Sequence, residues 1–309
     1  MINVVCLNPC YDKTAYVESL VAGELNRLSE IRVDLSGKGI NVALSVRRLG
    51  LPVTCFSIIP KDSKSEFEAM LNAEDIIAFN HVTNGATRTN LKVISKDTGV
   101  VTEFNEPGNK IQSKDMEIFS NLLWDNCQES QSIILTGSLP PGCDSDIYQK
   151  LLYQLPNLPC IIDSYHEPLL AALKAKPHLV KLNTFELQKT LSISVKSIHD
   201  VQKAAQKLID KGAKNVVVTM GAYGAFITNG KQAYSAPALK VPVRSTVGAG
   251  DAMTAGLIYG MSKKCSIQNM MACGIAASAA SVTTEGTQPI CQEDFLRFLL
   301  MCEDIHEYK

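Results

Sequence analysis

The chain has 309 residues, 46% of them hydrophobic, enough to bury a large core in one sizeable α/β domain or two small ones. Thirty basic residues against 31 acidic ones leave a formal net charge of −1, which excludes the basic stripe of a nucleic-acid or anionic-membrane binder, so any bound anion has to be held locally. Ten cysteines without a Cys-x-x-Cys pair, several of them (Cys55, Cys160, Cys273) inside apolar runs, fit free thiols of a reducing cytoplasm rather than a disulfide framework.

The opening MINVVCLNPC has no basic segment and only a short apolar run, against a signal peptide, and INVVCL (2–7) reads as a buried strand. Residues 12–36 alternate polar with apolar, as half-exposed antiparallel strands do, and 86–105 repeat the pattern; together they predict a small β-sheet lid. GINVALSVRRLG (39–50) reads as a helix capped by Gly50, and VTCFSII (53–59) as a buried strand. Further strands follow at SIILTG (132–137), CIIDSY (160–165), LVKLN (179–183) and NVVVTM (215–220), with helices at 144–155 and at 197–212, the latter capped by Gly212. The small and apolar stretch 270–282 is shorter than the roughly 20 residues a membrane span needs. Strand and helix alternating at this spacing predict a doubly wound, mostly parallel sheet with helices on both faces. With no repeat, low-complexity tract or evident linker, one α/β domain over 1–309 with an inserted lid is expected.

The stretch RSTVGAGDAMTAG (244–256) runs a glycine turn into a helix. Gly248 and Gly250, on either side of Ala249, let several backbone N–H groups converge beside the positive helix end, an arrangement suited to a developing negative charge. Asp251 has two readings there: a first-turn acid that only favours the helix start, or a base that takes a proton from an attacking hydroxyl. No G-x-x-x-x-G-K-[ST] occurs, which argues against a P-loop NTPase. Met253 stands where a dinucleotide fingerprint needs its third glycine, which weakens a nicotinamide-dependent oxidoreductase.

Other stretches carry candidate chemistry beside plainer readings. Gly37 and Gly39 bracket Lys38 before a helix, either an anion seat or a turn with a surface lysine, and Asn41 is a polar residue on an otherwise apolar helix start. Asp12 follows the first strand, and Arg88 and Asn90 alternate onto one face of a lid strand, where the arginine fork suits a phosphate and a surface salt bridge would look the same. Lys181 and Asn183 end a buried-type strand with Glu186 one turn on, so amide and carboxylate can organise Mg²⁺ through water. Thr219, Gly221 and Gly224 form a turn open to phosphates, and the small-residue face around Ser278 admits either a flat purine or a packed helix.

Taken together, the Gly-Lys-Gly-Ile-Asn helix start, the Asn-x-x-Glu of 183–186 and the Gly-Ala-Gly-Asp of 248–251 resemble the ribokinase-like (PfkB) family of sugar kinases, in the right order from Asn8 to Gly286. LNPCYDK, STVGAGD and TEGT (284–287) are similar to the branch of 1-phosphofructokinases and tagatose-6-phosphate kinases. That resemblance implies an ATP- and Mg²⁺-dependent kinase acting on fructose 1-phosphate, with tagatose 6-phosphate as the alternative acceptor and a non-catalytic sugar-phosphate sensor as the alternative of another class. It implies Asp251 as base and the 248–251 backbone as anion hole. By the same resemblance Asp12 and Asn41 bind sugar hydroxyls, Gly37 and Gly39 shape that seat, and Lys38, Arg88 and Asn90 hold the phosphate already on the sugar. Asn183 and Glu186 would organise Mg²⁺, with Lys181, Thr219, Gly221 and Gly224 around the ATP phosphates and Ser278 near the adenine. Asp251 and Glu186, which a degenerate sensor would lack, are both present. Ser36 stands where many members have another glycine, and Ala252 where this branch often has serine. A cytoplasmic homodimer joined through the lid, with no nucleic-acid or membrane partner, completes the expectation.

Overall fold

Strand β1 (Ile2–Cys6) is buried at every position, as an unbroken apolar run must be in a strand covered on both faces. The computed structural model describes residues 1–128, 130–155, 158–286 and 288–308, and Thr287 of the TEGT stretch lies outside them. After β1 come β2 (Cys10–Val17), β3 (Ile31–Ser36), α1 (Lys38–Arg48), β4 (Val53–Pro60), α2 (Lys64–Ala73), β5 (Ile77–Thr83), β6 (Arg88–Ser95), β7 (Val101–Asn105) and α3 (Ser113–Asn126). The chain continues through β8 (Ser132–Thr136), α4 (Ile147–Gln154), β9 (Cys160–Asp163), α5 (His166–Ala172), β10 (Leu179–Asn183), α6 (Thr184–Leu191), α7 (Ile198–Asp210) and β11 (Val216–Thr219). It ends with β12 (Ala225–Thr228), β13 (Ala233–Ala236), α8 (Ala249–Ser262), α9 (Ile267–Val282), α10 (Gln292–Leu300) and β14 (His306–Glu307).

The main sheet runs β14-β13-β12-β11-β10-β9-β8-β1-β4-β5. From β5 to β11 neighbours pair in parallel, and β12 to β14 add antiparallel at one edge. The chain winds outward from β1 through β4 to β5, then from β8 to β11 in the opposite direction. The order therefore reverses between β1 and β8, and the crevice beyond their carboxyl ends is where such sheets bind ligands. Alternate strand residues feed two cores. Val4, Cys6 and Cys55 pack with α1, α8, α9 and α10, while Val5, Leu7 and Ile133 pack with α3, α4, α5 and α7. No helix among the described residues is long and apolar enough to cross a membrane.

A second sheet runs β3-β2-β6-β7. Its central pair corrects one expectation: β2 and β6 are parallel, Asp12 opposite Asn90, and only the flanking pairs are antiparallel. The long excursion through α1, β4, α2 and β5 between these strands permits parallel pairing, which a hairpin would forbid. Residues 18–30, inside the first expected lid segment, are turns and loop. Arg32, Asp34 and Ser36 share one face of β3, whereas Ile31 and Val33 stand on the other, 53% and 55% exposed.

Candidate functional site

Between the two sheets lies a cavity of about 720 Å³. Its floor is the carboxyl ends of β1, β8 and β10 with the first turns of α1 and α8, and its roof is the inner face of the small sheet. Asp12, Gly37, Lys38, Asn41, Arg88, Asn90, Lys181, Asn183, Glu186, Gly248, Gly250 and Asp251 all line it. Gly39, Ala249, Thr219, Gly221, Gly224 and Ser278 do not.

Helix α8 starts at Gly248, whose φ of 81° is a left-handed value that glycine adopts without strain. The N–H groups of Gly248, Gly250 and Asp251 meet no backbone partner among the described residues, leaving donors at the positive helix end. Among the described residues the Asp251 carboxylate takes no hydrogen bond from the N–H groups of this helix. It accepts instead from Asn41 Nδ2 at 2.8 Å, and it is 7% exposed. Burial pushes its carboxyl up to about 6; Asp163 adds to the rise, while Lys38, Lys181 and the Asn41 bond oppose it. A buried carboxylate that does not cap, poised to take a proton near neutral pH, can act as a general base.

Asp163, which closes the apolar run of β9, is a central charge absent from the sequence reading; an acid ending a buried parallel strand was the available signal. It is fully buried between Lys38 Nζ and Lys181 Nζ, both at 3.3 Å, and accepts from Thr254 Oγ1 at 2.9 Å. Burial opposes its charge, yet Lys181, Lys38 and the Thr254 hydroxyl outweigh that and hold its carboxyl below the ordinary value. Lys38 also reaches Glu186 Oε1 at 3.1 Å, and those two carboxylates keep it firmly protonated against the cost of burial. Its ion pairs thus join it to the Asp163, Lys181 and Glu186 group, and it lines the same cavity as Arg88. A Cβ at Gly250 would sit 2.9 Å from Lys181 Nζ, so the ammonium lies directly against the helix start.

Asn183 and Glu186 form a reciprocal capping box on α6, each side chain accepting the other's backbone N–H at 2.8 Å. Both still line the cavity. The lid contributes Asp12, 6% exposed, which accepts from Asn90 Nδ2 at 3.1 Å, Ser36 Oγ at 2.8 Å and Lys92 Nζ at 3.2 Å. Arg88 already spends four of its N–H···O bonds on Asn8 O, Asn90 Oδ1 and Glu106 O, which leaves one of its five donors for a ligand. Lys92 escaped the sequence reading although it follows Arg88 and Asn90 at the same two-residue step, the period that places side chains on one strand face. The hydroxyl of Thr136 is buried at the cavity wall without a partner among the described residues.

Of the positions outside the cavity, Gly39 and Gly224 are required by close packing. A Cβ on Gly39 would lie 2.5 Å from the Cys6 Cβ, so this glycine lets α1 press on β1. The Ala249 N–H is turned to Thr246 O at 3.4 Å. A Cβ on Gly224 would collide with Ala236 O, and the Gly221–Tyr223 turn after Thr219 is exposed. The small face of α9 packs on α8, where a Cβ at Gly256 would strike Cys273 O; only Ser278 within 270–281 is half-exposed.

A pfkB family carbohydrate kinase profile matches residues 1–294. The 1-phosphofructokinase of Escherichia coli K12 is 35% identical over 283 residues, covering 90% of each chain. That of Haemophilus influenzae is 34% identical over 282 residues, again 90% of each. The crystal structure of E. coli phosphofructokinase-2 in complex with potassium superposes with a TM-score of 0.87 at 27% identity, over 97% of this chain and 98% of the other.

Proposed function

This chain belongs to the pfkB family of carbohydrate kinases, and from that premise we propose that it is an ATP-dependent hexose-phosphate kinase whose acceptor is fructose 1-phosphate. The product is fructose 1,6-bisphosphate. The observation that carries the reading is Asp251, a buried carboxylate held by Asn41 beside the unpartnered N–H groups of α8 and the ammonium of Lys181.

In the proposed reaction the free primary hydroxyl of the sugar attacks the γ-phosphorus of ATP in line. The new O–P bond forms as the bond to the β,γ-bridging oxygen breaks, ADP leaves, and the hydroxyl proton passes to Asp251. The backbone N–H groups of Gly248, Gly250 and Asp251, with Lys181, offset charge on the transferred group. Asp163 holds Lys181 and Lys38 in place. Asp12, Asn41 and Asn90 take sugar hydroxyls, and the phosphate on the acceptor falls to Lys92, whose ammonium has donors beyond Asp12, and to the remaining donor of Arg88.

No cluster of three or more acidic, histidine or cysteine side chains able to cage a metal occurs among the described residues. Asn183 and Glu186, already engaged in the capping box, line the cavity and would hold a Mg²⁺ through water rather than by caging it. Held there, Mg²⁺ would supply charge neutralisation for the ATP phosphates.

We read the whole chain as one kinase unit in which the small sheet closes over the sugar and excludes water. The outer face of that sheet exposes Ile31, Val33 and Phe104, apolar area that supports pairing with the lid of a second copy. Ten unpaired cysteines support a cytoplasmic setting. Incubation with MgATP and fructose 1-phosphate tests the reading: ADP and fructose 1,6-bisphosphate in equal amounts support it, and ADP release that is independent of the sugar phosphate defeats it.

A further inference from the structure

Ser36 ends β3, fully buried, one residue before the glycine that opens α1. Its Oγ is 2.8 Å from Asp12 Oδ2 and 3.1 Å from Asn41 Oδ1, while the other end of the Asn41 amide donates to Asp251 Oδ2 at 2.8 Å. Ionised carboxylates accept only, so the direction of this chain of bonds is set at both ends. Asn41 must turn its NH₂ to Asp251, and its carbonyl oxygen then needs a donor. The donor is Ser36, whose single proton is also within reach of Asp12. Asp12 accepts a second hydrogen bond on the same oxygen, from Lys92 Nζ at 3.2 Å.

We infer that Ser36 is a positioning residue that couples the sugar seat on the lid to the catalytic carboxylate, by donating its one proton to Asn41 once a sugar hydroxyl has satisfied Asp12. The inference rests on the kinase reading above. With the sugar absent the Ser36 proton is shared between Asp12 and Asn41, so the Asn41 carbonyl holds its donor only part of the time. When a sugar hydroxyl donates to Asp12, the serine proton is released to Asn41 Oδ1, which locks the NH₂ of Asn41 on Asp251. A locked donor favours the ionised form of Asp251, the form that accepts the proton of the attacking hydroxyl. Asp251 also faces Lys38 from α1, Lys181 from β10 and Asp163 from β9, and none of these bonds to Ser36. Among the described hydrogen bonds, the path from Ser36 to Asp251 runs through Asn41.

The test compares wild type, Ser36→Ala and Ser36→Thr, the last keeping the hydroxyl. Steady-state kinetics from about pH 5 to 8 should show Ser36→Ala with kcat lowered about tenfold, KM for the sugar phosphate within about threefold, and the acid limb of kcat moved upward by about half a unit or more. Ser36→Thr should restore both kcat and the limb. An unchanged acid limb in Ser36→Ala, a defect in KM alone, or a threonine variant as impaired as the alanine one overturns the inference. If wild type turns over no ketohexose phosphate, the kinase reading has failed, and the coupling is then judged by the Asp251 carboxyl titration, followed by isotope-edited NMR. An upward shift in Ser36→Ala that Ser36→Thr reverses sustains it, and equal titration in all three proteins refutes it.

Discussion

Replacing Asp251 by asparagine separates a catalytic carboxylate from a helix-starting one, because the two roles give opposite signs in stability. A first-turn acid that favours its helix stabilises, and its loss costs about 0.3–2 kcal/mol. The structure points the other way: burial raises the Asp251 carboxyl from 3.8 to about 6. A folded-state value above the unfolded one means that ionised Asp251 strains the fold. The cost is absent below about pH 4, grows as pH rises, and is complete above about pH 6, where it comes to roughly 3 kcal/mol for a rise of about two pH units. The amide of Asp251→Asn would keep the shape and the contact with Asn41 without the charge. The variant should therefore melt about 3–8 °C above wild type near pH 8, with a smaller advantage near pH 5, while kcat falls by about 10²–10⁴. Thermal unfolding at the two pH values, with turnover measured on the same samples, checks both halves. A variant that is less stable than wild type and turns over at a near wild-type rate would refute the reasoning.

Because Asp251 has to be ionised to accept a proton, kcat/KM of the wild type should rise with pH through about 6 and then level, whereas activity that climbs on acidification would exclude it as the base. Lys92→Met should raise KM for the sugar phosphate about 10–100-fold with kcat changed much less, as expected for loss of one charge-assisted contact, and Lys92→Arg should recover most of it. A charge placed on the outer lid face, Phe104→Asp or Val33→Asp, should shift the protein toward monomer in analytical ultracentrifugation; an unchanged mass would remove the lid as the self-association surface.

Much of the fold could be read from β-branched runs, because a strand buried on both faces tolerates little else. LVKLN (179–183) spans β10 residue for residue, and Gly50 follows α1 with φ at 80°, as its capping role demands. β5 escaped because IAFNHVT, with Asn80 and His81 in its centre and no fully buried residue, lacks the apolar signature of its neighbours. The direction of β2 against β6 was also hidden, since alternation reports exposure and says nothing of polarity. Within the site, glycine turns and polar residues at strand ends were legible from their spacing. Asp163 was concealed inside a run taken for plain strand, Arg88 gave no sign that the protein itself occupies most of its donors, and the bonds of Lys38 to Asp163 and Glu186 depend on elements 125 and 148 residues away. Such long-range pairings are set by the topology and leave no local pattern.

The central claim is the identity of the acceptor, and the most direct measurement is kcat/KM with MgATP for fructose 1-phosphate, tagatose 6-phosphate and fructose 6-phosphate in parallel. The account predicts fructose 1-phosphate ahead of both by about tenfold or more, a difference of about 1.4 kcal/mol in transition-state stabilisation. A higher value for either of the other two would contradict it.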